Sequence, residues 1–132
     1  MDYKLILDKS EEIKKAIVQA LDERDVFQLK VEVSQNKAIA TLGKFMLSIL
    51  NKNFLDYANN ISYAQIIYSG KVERLDKDTI NSYIVERLAK FPLPRVFGPT
   101  IDIALKMLMG NYLRSELSSM DFVAIAESVL DQ

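Results

Sequence analysis

Carboxylates are the side chains best grouped for chemistry in this chain. Asp22, Glu23 and Asp25 crowd one stretch, and Asp76 and Asp78 form a second pair. Acids this close can hold Mg²⁺ or share the roles of general acid and base. Both groups fall where helices are expected to end or begin, where acids serve as caps, so the plainer reading of each is structural. A basic set follows: Arg87, Lys90 and Arg95, with Phe91 and Phe97 interleaved. Cations with aromatic rings between them can track a phosphate backbone and stack a base. Gly98-Pro99-Thr100, opening a helix, would offer an anion backbone donors beside Arg95. Tyr57, Tyr63, Tyr68 and Tyr83 combine area with a polar tip, which suits a pocket, a contact surface or a partly buried core position.

Composition excludes much of what these groups would need as helpers. The 132 residues contain no histidine and no cysteine. Thiolate catalysis, disulfides, cysteine zinc sites and histidine-dependent triads are therefore ruled out. The glycines at 43, 70, 98 and 110 are isolated, and no P-loop, dinucleotide fingerprint or calcium loop can be assembled around them. No cofactor and no metal are expected. With 17 basic and 18 acidic residues the net charge is −1, which gives no bulk attraction to nucleic acid or to anionic membrane. A recognition helix drawn from 119–132 would present Asp121, Glu127 and Asp131 and no cation, a face that phosphates repel.

The elements that would position these residues can be read from periodicity. Tyr3, Leu5 and Leu7 alternate with their neighbours as a short strand would. The spacing from Asp8 to Glu11 matches a capping box, and Ile13, Ala16, Ile17, Ala20 and Leu21 predict an amphipathic helix over 10–23. Val26 to Val33 alternates and predicts a half-buried strand, followed by a turn at Ser34–Lys37. Residues 38–42 fit either a returning strand or a helix, and a helix is expected over 43–52. The β-branched and aromatic run at 61–68, punctuated by Asn59-Asn60 and Ser69-Gly70, predicts another strand. A helix capped by Asp76 or Asp78 should then bury Ile80, Tyr83, Ile84, Leu88 and Phe91 and stop at the prolines.

The segment 101–117 reads as a helix capped by Thr100 and apolar around most of its circumference. Ile101, Ala104, Leu105, Leu108, Met109 and Tyr112 share one side, and Ile103 and Met107 occupy a shoulder. Such a helix lies either in the centre of a core, between helices at 78–91 and 119–131, or against a partner. It contains Asp102 and Lys106 and falls short of the ~20 apolar residues that span a bilayer. A last helix follows Ser118-Ser119, with Phe122, Ile125, Ala126, Val129 and Leu130 inward.

These readings give a helix-rich α+β fold over one domain, residues 1–132: a small N-terminal sheet with amphipathic helices and a three-helix C-terminal part. A mostly α fold is the alternative. The N-terminus does not read as a signal peptide, and a cytoplasmic protein without a membrane segment is expected. The functional expectation is a non-enzymatic protein–protein interaction module (an adaptor, chaperone-like or assembly protein) that self-associates as a homodimer through the apolar C-terminal helix. Its contact residues would be Phe97, Ile103 and Met107, with Arg95 at the rim. Two alternatives stand beside it: a nucleic-acid-associated protein using Arg87, Lys90 and Arg95, and an enzyme using carboxylate or tyrosine chemistry.

Overall fold

A computed structural model describes residues 3–27, 37–93 and 98–132, with the side chains of 37–47, 101 and 105 outside the description. The described residues form seven helices: α1 (Lys4–Asp8), α2 (Ser10–Arg24), α3 (Lys37–Ala58), α4 (Tyr63–Val72), α5 (Lys77–Ala89), α6 (Pro99–Leu117) and α7 (Phe122–Leu130). No strand occurs among them, so the α+β expectation with an N-terminal sheet is overturned and the mostly α alternative fits. Residues 3–7 lie in α1 and its lead-in, 38–42 in α3, and most of 61–68 in α4. Val26 and Phe27 form a turn, and 28–33 lie outside the described residues.

Burial explains why 61–68 is helical despite its β-prone composition. Tyr63, Ala64, Ile67 and Gly70 are buried on one helical face, while Gln65 and Ser69 are exposed. A helix-propensity deficit of at most about 0.7 kcal/mol per residue is outweighed by about 1.5–3 kcal/mol for each large side chain buried. Tyr63 also ties the turn together: its hydroxyl donates to the Ala58 carbonyl at 2.6 Å, the last residue of α3. Burial, and to a lesser degree the neighbouring Tyr57, pushes this phenol well above its ordinary pKa. It stays a neutral donor throughout the working pH range.

One cluster of buried side chains draws on all seven helices, from Ile6 in α1 through Ile13, Ile17 and Leu21 in α2 to Phe122, Val123 and Ala126 in α7. Polar links fix neighbouring helices against each other at its edge. Asn81 of α5 donates to the Met120 carbonyl at 2.9 Å and accepts from the Phe122 amide at 2.7 Å, which holds the turn between α6 and α7. Lys71 and Lys77 both reach Glu127, at 3.5 and 3.0 Å.

Caps settle several boundaries differently from the sequence reading. Lys9, with no capping side chain, precedes α2 instead of a box built on Asp8. Gly98, at φ 97°, caps α6 with Pro99 in its first turn, so Thr100 is already inside the helix. Positive φ there favours glycine. Asp121 caps α7 by accepting from the Ala124 amide at 3.0 Å, three residues beyond the expected start at Ser118. Asp76 caps α5 as expected, accepting from the Thr79 amide at 2.7 Å.

Hydrogen bonds from Thr79, its side chain first and then its amide, hold the Asp76 carboxyl below its ordinary pKa. A depressed carboxylate adds stability above the unfolded-state value, about pH 4, and loses it as pH falls through the lower folded value. Asp76→Asn keeps a capping oxygen but cannot titrate. Its unfolding midpoint should therefore fall less steeply than that of the wild type below pH ~4. Parallel acid limbs in the two thermal-melt series would contradict this.

Candidate interaction surface

The expected site lies on α6, and its geometry follows from how α6 runs past α5. Arg114 Nε sits 2.8 Å from Glu86 Oε1. One turn earlier, a Cβ added at Gly110 would lie 3.9 Å from the Ala89 carbonyl oxygen. The helices are thus antiparallel, and α5 ends at Ala89, level with Gly110. The segment 99–109, roughly 16 Å of helix, continues beyond that end. Leu113 and Leu117, in the covered half, are buried to 1% and 0% exposure.

The outrunning half is apolar on its outer face. Ile103, Met107 and Leu108 are 61%, 66% and 63% exposed, and Ala104 beside them is exposed too. At about 100° per residue these four share one face, whose continuation in the covered half is Asn111 and Ser115. The inward line behaves in the opposite way. Lys106 stands in register with Gly110, Leu113 and Leu117, yet it is exposed, because α5 has stopped below it. The chain is therefore polar where α5 would have covered it and apolar on the side that faces out.

Of the four residues expected at the site, Ile103 and Met107 sit together on this face, while Arg95 and Phe97 lie outside the described residues. The reading of 101–117 as a central helix between α5 and α7 does not hold: α5 covers one face of its second half, where Leu113 and Leu117 are buried, while Asn111 and Ser115 are exposed. Ala104 and Leu108, read as part of the main apolar side with Met109 and Tyr112, are exposed. Leu108 could have been placed from the sequence by taking Leu113 and Leu117 as the inward anchors, from which it lies about 140° and about 180° away. Tyr83, expected in the core, is 50% exposed, and Ile49 on α3 is 44% exposed.

The remaining chemical candidates are largely occupied by structure. Arg24, from the first acidic cluster's neighbourhood, pairs with Glu116 at 3.4 Å, and Asp25 takes the left-handed conformation that ends α2. The Tyr57 hydroxyl donates to the Arg87 carbonyl at 2.6 Å, and that of Tyr112 donates to the Val26 carbonyl. Arg87 and Lys90 line a groove of about 400 Å³ between α4 and α5, together with Ile66, Leu75 and Tyr83. The same groove contains Glu73 and Glu86, so its charge is mixed. Among the described residues, no three carboxylates gather in a way that could hold a metal ion. No described helix is long and apolar enough to cross a membrane.

Comparison with protein families, with curated proteins and with solved structures finds no match to this chain.

Proposed function

We propose that the chain is a protein–protein interaction module, of the adaptor, chaperone-like or assembly kind, and that it self-associates through the first half of α6. The observation that supports this reading is the exposed stripe of Ile103, Ala104, Met107 and Leu108 on a helix whose other half buries Leu113 and Leu117 and is polar on the same outer face. Single exposed apolar residues are ordinary, but a contiguous stripe on one face marks a surface that gains by leaving water. Methionine at its centre adapts to an opposing surface with little loss of packing. A second copy offers the same stripe in return, which is the condition for a closed two-fold contact.

The nucleic-acid alternative draws less support, because Glu73 and Glu86 share the groove with Arg87 and Lys90. The enzymatic alternative has buried or hydrogen-bonded phenols at Tyr57, Tyr63 and Tyr112, which contribute to packing.

Light scattering should give wild-type protein twice the chain mass. Met107→Asp places a charge at the centre of the stripe and should give the single-chain mass. Since Met107 is 66% exposed, helicity and unfolding midpoint should stay at wild-type values. A monomeric wild type, or a variant that assembles like the wild type, would rule the reading out.

A further inference from the structure

The exposed face of α6 is longer than its apolar stripe, and its pattern is the same from either end. Thr100, Ile103, Ala104, Met107, Leu108 and Asn111 recur at steps of three, one, three, one and three residues. At about 100° per residue they fall within about 140° of the circumference, and every one of them is exposed. The two ends of the row are polar and the residues between them apolar. Turning the helix end over end exchanges Thr100 with Asn111, Ile103 with Leu108, and Ala104 with Met107. Polar then meets polar, branched aliphatic meets branched aliphatic, and the smallest side chain of the face meets its longest.

That match chooses between the two ways in which a helix can pair with its own copy. In a parallel pair each residue would meet itself. Two Ala104 methyls would leave a gap between the larger side chains beside them, and the contact would run on into Asn111 and Ser115, the polar continuation of the same face. In an antiparallel pair Met107 fills the space over the partner's Ala104, and symmetry repeats this contact. Asn111 stands level with the partner's Thr100 at each end. Its Oδ1 accepts from Arg114 Nη1 of its own chain at 3.5 Å, which leaves the amide nitrogen to donate to the hydroxyl of the partner's Thr100. Polar pairs at the edges of an apolar seam fix register, because a slip of one turn would bury them against aliphatic carbon. Ser115 falls beyond the first residue of the partner's helix and stays in water.

We propose that two copies pair through α6 in antiparallel, with a two-fold axis between Ala104 and Met107, and that Thr100, Ala104 and Asn111 set the register. The proposal rests on the self-association reading above and adds the orientation and the residues that select it. The paired length is roughly 18 Å of helix, a contact at the low end of specific interfaces. The dimer mass should therefore depend on protein concentration.

The chain has no cysteine, so introduced ones report on the pairing without interference. Thr100→Cys and Asn111→Cys are prepared separately, mixed in equal amounts at a concentration where the wild type is dimeric, and oxidised. In the antiparallel pair these two positions lie level across the seam, within reach of a disulfide, while like positions lie about 16 Å apart along it. The bridged product should be the mixed pair alone, identified by intact mass, and either variant oxidised by itself should stay unbridged. Bridging of each variant with itself would establish a parallel pair and overturn the proposal, with self-association through α6 intact. Absence of any bridge while the wild type is dimeric would overturn it too, leaving Met107→Asp to judge the α6 reading. A wild type of single-chain mass would overturn both.

Discussion

Phe54→Ala should lower the free energy of unfolding by about 3–5 kcal/mol, read from urea titration. Phe54 is fully buried and stands between two other rings. It meets Phe27 at 5.4 Å and Phe91 at 5.5 Å, both near-perpendicular, and Phe27 and Phe91 approach each other at 6.3 Å. Edge-to-face pairs of this kind add about 0.5–1.5 kcal/mol each to the burial itself. Removing the central ring loses two such pairs and opens a cavity between elements that cannot all collapse together, because each ring is carried by a different segment. Phe54→Leu keeps most of the volume and should cost nearer 1 kcal/mol. A loss below ~1 kcal/mol for the alanine variant would mean that the three rings do not form one packed unit.

The same three rings show what sequence reading reaches and where it stops. Phe91 was legible as the last inward position of a helix and is buried just past the end of α5, whereas Phe54 lies two residues past the helix expected over 43–52, which in the fold runs on to Ala58. Phe27 is inward as expected but belongs to a turn, since an alternating run is consistent with more than one backbone when its pairing partners are unknown. In α1 the ambiguity inverts the result. Leu5 and Leu7 read as the buried parity of a strand, whereas the helix buries Ile6 and leaves Leu5 39% exposed. Five residues cannot distinguish the two periods, and an isolated helix of that length is unstable, so α1 depends on packing against α4 that no local pattern records.

The candidate surface divides along similar lines. That 101–117 carried more apolar area than one core face needs was visible in its composition, and so were Ile103 and Met107 as the shoulder. Which half would be uncovered was not. That depends on α5 ending level with Gly110, a register between two helices fixed by Arg114 with Glu86 and by the close approach at Ala89. Tertiary register is set by interlocking of side chains across elements, and a single chain's periodicity contains no trace of it.

Gly70→Ala should destabilise the protein by about 1–2 kcal/mol, and the sign of that effect should reverse once its neighbour is trimmed. In a helix interior, alanine is ordinarily preferred to glycine by about 1 kcal/mol, so an open site would predict a gain. Gly70 is not an open site. A Cβ built there would come within 2.5 Å of Ile80 Cγ1 and 2.8 Å of Cδ1. Ile80 is fully buried and β-branched, with little freedom to turn aside. α4 and α5 would have to separate, and overpacking of this kind costs about 1–3 kcal/mol against the propensity gain. Ile80→Ala removes both crowding atoms at a cost of its own of about 2–5 kcal/mol. In that background Gly70→Ala should become stabilising by up to ~1 kcal/mol, so a double-mutant cycle should give a coupling of about 2 kcal/mol. Two additive substitutions would show that the helices do not touch at this point. From the sequence, Ser69-Gly70 looked like the punctuation that ends a strand. In the fold this glycine is the close contact between two helices, and the residue that requires it lies ten positions further along the chain.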